Sequence, residues 1–265
     1  MEILAYIASA LIGISLGLIG GGGSILTMPV LVYLFGLNPV LATSYSLFIV
    51  GSTSLIGTVD NYRKGLVSVK TALLFGLSSI TTVFFTRKFL IPVIPDNLFT
   101  TGSFTVTHNI LTMVLFALLM ISAAIAMIRN GKNAKADTVI KKNPNLVKLL
   151  SFGIAIGLAT GILGAGGGFL LIPTLVLLVG MNMKEAVGTS LLIIALNSLI
   201  GFAGDIGHFK INWLFLLTIS VIATAGIFIG GAINKKINSA NLKKGFGWFL
   251  LLMGTYIIIK EILLA

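Results

Sequence analysis

Apolar residues gather into ten runs along the chain, at about 2–19, 24–36, 40–59, 66–85, 105–129, 146–163, 168–180, 185–203, 211–233 and 245–264, bounded by Gly, Pro, Asn or charge. Eight are long enough to cross a hydrocarbon core of about 30 Å as helices rising about 1.5 Å per residue. The runs 24–36 and 168–180 are not, and both sit directly behind a glycine cluster. They read as half-helices.

The chain repeats itself around these two short runs. Residues 17–38, shifted by 144, fall on residues 161–182, and 11 of the 22 positions are identical, among them Pro29/Pro173, Gly36/Gly180 and Asn38/Asn182. The match continues through Ser46/Ser190, Leu47/Leu191 and Ser54-Leu55-Ile56-Gly57 against Ser198-Leu199-Ile200-Gly201. Such self-similarity reads as an internal duplication. Each half holds five segments, an odd number, so the second half enters the membrane from the opposite side. The predicted fold is an all-α polytopic membrane protein of two inverted repeats, each of about five helical segments with a Gly-broken half-helix. Its expected divisions are a first transmembrane repeat (1–128), a basic linker (129–148) and a second repeat (149–265).

Composition supports the membrane reading and narrows the function. Charged residues are 9% of the chain, apolar residues 57%, and the mean hydropathy is +1.09, which excludes a water-soluble surface. There are 18 Lys+Arg against 7 Asp+Glu, a net charge of +11. In a soluble protein that excess would suggest nucleic acid. Here the basic residues lie between apolar runs, so they report orientation and no nucleic-acid partner is expected. With Met1 outside, Arg87, Lys88, Lys210 and Lys260 fall on the outer side and the other 14 of the 18 on the inner. The linker is therefore expected in the cytoplasm, as a solvated hinge or a contact for anionic lipid, with both chain ends outside. The first run lacks a basic leader and a cleavage site and is expected to be a retained span. No Cys is present, which removes disulfides, thiolate metal sites and Cys nucleophiles.

The chemistry is expected at the glycine clusters, Gly20-Gly21-Gly22-Gly23-Ser24 and Gly164-Ala165-Gly166-Gly167-Gly168. In lipid, irregular backbone is tolerated only where protein buries it or it lines a wet cavity. A glycine run that breaks a helix leaves the leading N–H groups of the next helix free, with about half a positive charge of macrodipole. Such an end binds anions without a cationic side chain, and two of them facing each other would form one midplane site. The alternative is that the glycines only permit close helix packing, which suits Gly226, Gly230 and Gly231 well. A P-loop is excluded by the missing Lys-Ser/Thr. Thr43, Ser44, Ser46, Thr189, Ser190 and Asn197 could complete the site, although hydroxyls in membrane helices more often bond the preceding turn.

Ionisable residues are sparse, and those that draw attention are Asp60, Asp96 and Asp205, with His108 and His208. Asp60 and Asp205 end the third segment of each half. They read as interfacial caps, with proton coupling or gating by Asp60, Asp205 and His208 as the alternative. No carboxylate pair, zinc pattern or Ser/His/Asp set lies within the spans, so no catalytic residue, metal ligand or cofactor is expected and the chain does not read as an enzyme.

Two Gly-rich motifs each closed by a proline, Ala186-Val187-Gly188-Thr189-Ser190-Leu191, and the later Gly207-His208-Phe209-Lys210 resemble the sulfite exporter TauE/SafE family of prokaryotic permeases. The likeness is strongest at 17–57 and 161–210, and it departs where Thr43-Ser44-Tyr45-Ser46 replaces the Gly-Thr-Ser pattern. It implies a multi-pass protein of the prokaryotic inner membrane that moves sulfur-containing anions such as sulfite or organosulfonates, with the lipid bilayer as its surroundings and a homodimer as one assembly state. The expected activity is secondary transport by alternating access. An anion channel, or a permease for a different small anionic metabolite, is the alternative.

Overall fold

The computed structural model describes residues 2–20, 24–95, 97–101, 104–129, 146–164, 166–208 and 210–263. Among them are the helices α1 (Glu2–Ile19), α2 (Ser24–Pro29), α3 (Pro39–Arg63), α4 (Val69–Phe85), α5 (His108–Arg129), α6 (Leu146–Leu163), α7 (Gly168–Thr174), α8 (Met183–Asp205), α9 (Trp213–Lys236) and α10 (Ser239–Ile258). A two-stranded antiparallel hairpin, β1 (Asn97–Thr101) with β2 (Phe104–Thr107), precedes α5. Most of the linker, residues 130–145, lies outside the described residues.

Among the described residues, six helices are long and apolar enough to cross a membrane: Pro39–Arg63, Val69–Val93, Ile110–Arg129, Met183–Asp205, Trp213–Lys236 and Ala240–Glu261. Eight were expected; α1 and α6, at 18 residues each, are shorter than these six. Large apolar side chains face outward, Leu77 at 65% and Val221 and Leu252 at 68% exposure. Lipid covers such a surface without the unfavourable contact that water would impose.

The duplicated residues have local reasons. Pro29 and Pro173 lie inside α2 and α7, where they have no N–H to donate, and each helix continues as a π-helical turn, Val30–Leu34 and Leu175–Val179. Gly36 and Gly180 follow these turns in the left-handed conformation, at φ 65° and 76°. Asn38 and Asn182 then start the next helices, their Oδ1 atoms accepting from Val40 N and Glu185 N at 2.9 Å. Gly-x-Asn is thus a stop and start signal, used twice.

One boundary differs from expectation. The apolar run breaks at Thr86-Arg87-Lys88, yet the helical path of α4 continues through a π turn (Thr86–Leu90) and a 3-10 turn (Ile91–Val93). The charge does not end the helix because Arg87 is buried against partners from three other segments.

At the centre α3 and α8 run antiparallel, with Gly51 against Leu199, Gly57 against Leu191 and Gly201 against Leu47. Around them α1 lies along α9, with Gly13 beside Ala223 and Gly17 beside Ile227, so the residue numbers rise together and the pair is parallel. In the same way α6 runs parallel to α4, with Gly153, Gly157 and Gly161 on Ser78, Ser79 and Thr86. α5 pairs with α10 antiparallel. Small residues let these backbones touch, as membrane packing requires. A Cβ on Gly230 would lie 2.0 Å from Ile14 O, whereas Gly245 has nothing within 4 Å. Gly230→Leu is therefore expected to destabilise the detergent-solubilised protein by at least about 2 kcal/mol, and Gly245→Leu to leave it unchanged, as read by thermal unfolding.

Candidate functional site

Between α6 and α7 the chain turns through Gly164, Gly166 and Gly167, all left-handed, at φ 64°, 65° and 68°. Only glycine takes such angles without strain, so the turn depends on this sequence. Gly167 is the N-cap of α7, its carbonyl accepting from Leu170 N and Leu171 N at 3.0 Å, and Gly168 is the buried first residue of that helix. The leading N–H groups of a helix have no partner within it. In the first half Gly20 takes the same left-handed form, at φ 67°, and Ser24 opens α2 as a buried residue. Gly21, Gly22 and Gly23 lie outside the described residues.

The second turn sits against three polar side chains. A Cβ on Gly164 would stand 2.2 Å from Thr43 Cβ, on Gly166 2.9 Å from Ser198 Oγ, and on Gly167 2.0 Å from Thr160 Oγ1. The Ser198 and Thr160 hydroxyls are buried and have no hydrogen-bond partner among the described residues. So are those of Ser44, Ser46, Thr53 and Ser54 on α3, and the Oδ1 of Asn197 on α8. Buried polar atoms in folded proteins nearly always find partners, so the Ser198 and Thr160 hydroxyls beside the turn mark a place suited to something polar.

Other sequence-derived candidates divide. Thr189 Oγ1 accepts from Ser68 N at 3.0 Å, and Ser190 Oγ donates to Val187 O at 2.9 Å, the bond to the preceding turn. Asn197 Nδ2 donates to Ser79 Oγ at 2.6 Å. Asp60 is partly exposed and paired with Lys64. His208 is exposed, and its backbone N–H donates to Asp205 O at 3.0 Å. Gly17 and Gly161 belong to helix packing, against Ile227 and Thr86.

Asp205 differs from Asp60. It is 1% exposed and holds the guanidinium of Arg87, itself 1% exposed, with Arg87 Nε donating to Oδ1 at 2.9 Å and Oδ2 at 3.0 Å and Nη2 also donating to Oδ2. Arg87 Nη1 donates to Thr43 Oγ1 at 2.8 Å and Gly161 O at 3.2 Å. Arg87, a buried cation not singled out from the sequence, thus reaches Thr43, the residue on which the Gly164 turn packs. The sequence signal was the apolar Phe89-Leu90-Ile91 directly after Arg87-Lys88, which lets the helix run on past the charge, and a buried charge in a membrane helix needs a dedicated partner. Above the pair lies a cleft of about 580 Å³ lined by Asn38, Leu41, Arg87, Asp205, His208 and Lys210 among others.

The model of the sulfite exporter TauE/SafE family matches residues 5–257. The chain belongs to this family. It is similar to a "Probable membrane transporter protein" of Xylella fastidiosa (strain Temecula1), 28% identical over 95% of this chain and 92% of that one. It is also similar to the "Probable membrane transporter protein YunE" of Bacillus subtilis, 27% identical over 99% of each. The "Probable membrane transporter protein MJ0441" of Methanocaldococcus jannaschii is 24% identical over 97% of this chain and 95% of its own. No solved structure matches. This TauE/SafE protein is thus a multi-pass membrane transporter, not an enzyme.

Proposed function

We propose that this TauE/SafE protein carries a small sulfur-containing oxyanion, sulfite or an organosulfonate, by alternating access between two inverted repeats. The observation that carries the anion site is the unpartnered Ser198 hydroxyl facing the left-handed Gly166 turn at the start of α7. Hydroxyl and N–H donors converging on one buried place stabilise an oxyanion that has shed water. Gly20 to Gly23, Ser24 and Ser46 would complete the site from the first half, and Gly164, Gly166, Gly167, Gly168 and Asn197 from the second. Thr189 and Ser190, already bonded within the protein, would join only after a rearrangement. Asp205 is the gating candidate, with His208 at the cleft above it and Asp60 at the opposite end.

Reciprocal packing supports the inverted duplication. In the 144-residue register Gly20 on Val187 answers Gly164 on Thr43, and Gly57 on Leu191 answers Gly201 on Leu47. The parallel pairs α1–α9 and α6–α4 exchange in the same way. Each short segment, α2 or α7 with its π turn, would then be a half-helix that the glycines separate from the helix before it. By the charge bias, the end with Arg87 faces outward and the linker lies inside. A cysteine at Lys135 is expected to be labelled only after the membrane is permeabilised, and labelling in intact cells would reverse the assignment.

Selectivity follows from partial charges. Arg87 is neutralised by Asp205, so the Gly166 turn supplies less than a full countercharge and favours a monoanionic sulfonate head over dianionic sulfate. In a competition panel on the purified protein, sulfite, taurine and sulfoacetate are expected to displace one another while sulfate, choline and divalent cations do not. Competition by choline, with none by sulfite or sulfonates at millimolar levels, would refute the anion reading.

A further inference from the structure

Arg87 draws four segments together at one end of the bundle. Its own helix is α4, and its partners are Asp205 at the end of α8, Thr43 in the first turns of α3 and Gly161 near the end of α6. The opposite end has no counterpart. In the 144-residue register Arg87 corresponds to Gly231, Asp205 to Asn61 and Thr43 to Val187, so every side chain of the clamp is replaced. There a Cβ on Gly231 would meet only Asp60 Oδ2, at 3.8 Å, and Asp60 is held by Lys64 of its own helix segment. The lock is one-sided.

The cleft of about 580 Å³ borders this lock. Lys210, His208 and Asn38 line it together with Arg87 and Asp205, whose side chains are almost fully buried. On the Arg87 side, Val40, Thr43, Ile91, Thr112 and Ile162 line a small space that adjoins the cleft. An anion drawn in by Lys210 therefore meets a guanidinium already occupied by a carboxylate. A sulfonate or sulfite presents a pair of oxygens as a carboxylate does, and can take the same forked donors.

We propose that the transported oxyanion opens this end by exchanging with Asp205 on Arg87, so that Arg87 is a substrate-contacting residue and the clamp a substrate-triggered gate. This rests on the anion reading above. Separation of α8 from α4 without an anion would strand a buried guanidinium, and an uncompensated buried charge is strongly unfavourable. With an oxyanion on Arg87 the charge stays balanced while Asp205 leaves. Opening is thereby tied to the presence of substrate, which suppresses passage of the empty gate and of uncharged solutes.

The chain lacks Cys, so a single reporter can be placed beside the lock, at the partly buried Ile162 that shares a lining with Arg87 and Thr43, as Ile162→Cys. Its rate of modification by a charged thiol reagent is followed by mass spectrometry in nanodiscs, with methanesulfonate or gluconate at equal ionic strength, and methanesulfonate binding is measured on the same sample by calorimetry. Methanesulfonate is expected to raise the rate at least tenfold. Added to the reporter, Asp205→Asn should give the raised rate without any anion, and Arg87→Gln a raised rate that methanesulfonate no longer changes. Should either variant fail to fold, the reporter protein with both clamp residues intact still decides. A rate unaltered or slowed by bound methanesulfonate overturns the gate and leaves the anion reading standing. If methanesulfonate, sulfite and taurine all fail to bind, the anion reading itself falls.

Discussion

Asp205→Ala is expected to destabilise the protein by about 3–5 kcal/mol, the penalty for leaving one member of a buried ion pair without its partner. Both side chains are essentially inaccessible, so the guanidinium lacks most of the hydration it would need once the carboxylate is removed. Arg87→Ala should cost about as much, because Asp205 then stays buried while Thr43 Oγ1 and Gly161 O also lose a donor. The double change Arg87→Met with Asp205→Leu removes both charges and fills similar space. It is expected to recover most of the loss, since buried pairs replaced by apolar residues are often neutral or stabilising. Thermal and denaturant unfolding in detergent measures all three. A loss below about 1 kcal/mol for Asp205→Ala would place the pair among exposed ion pairs, and would remove the reason for tying gate opening to a replacement anion.

The helices were legible in the sequence wherever apolar length and punctuation agreed. Gly36-Leu37-Asn38 and Gly180-Met181-Asn182 mark a helix end and the next start to the residue, because a left-handed Gly and an Asn cap act within a few positions. Where the boundary depended on charge, the pattern misled. Thr86-Arg87-Lys88 looks like the edge of a span, but it is interior helix, and only a partner 118 residues away makes that possible. Sequence spacing carries no record of such a partner. The same limit applied to the two aspartates: Asp60 and Asp205 occupy nearly equivalent places in the duplication, yet one pairs with Lys64 at a partly exposed surface and the other is enclosed. At the site, the glycine turn was legible from composition, as a cluster that could not continue a helix. Which hydroxyls stand beside it was not. Ser198 matched Ser54 in the repeat without any sign that it would face Gly166, whereas Ser190, chosen for its place in the repeat, spends its proton on the turn before it.

Ser198→Ala is expected to separate binding from stability. Its hydroxyl is buried without a partner among the described residues, and an unsatisfied buried polar atom costs about 1–3 kcal/mol, so deleting it should leave the unliganded protein as stable as before or slightly more so. If the hydroxyl donates to the anion, the same change removes a bond to a charged group, about 1.5–3 kcal/mol, and weakens binding by about 10- to 100-fold. Thr58→Val is the comparison. Thr58 Oγ1 is buried on α3 but donates to Ser54 O at 2.8 Å, so its loss should alter stability slightly and binding not at all. Gly166→Ala attacks the same place from the backbone side: its Cβ would crowd Ser198 Oγ at 2.9 Å and Ile194 at 3.0 Å, and a left-handed alanine costs about 1–2 kcal/mol. Gly166→Ala is therefore expected to lose both stability and binding, Ser198→Ala binding alone. Calorimetric titration with taurine or sulfite, beside thermal unfolding without ligand, resolves the two. Unchanged affinity in Ser198→Ala would leave its buried hydroxyl without a role in the anion site and move the search to Thr160 and the α3 hydroxyls of Thr53 and Ser54.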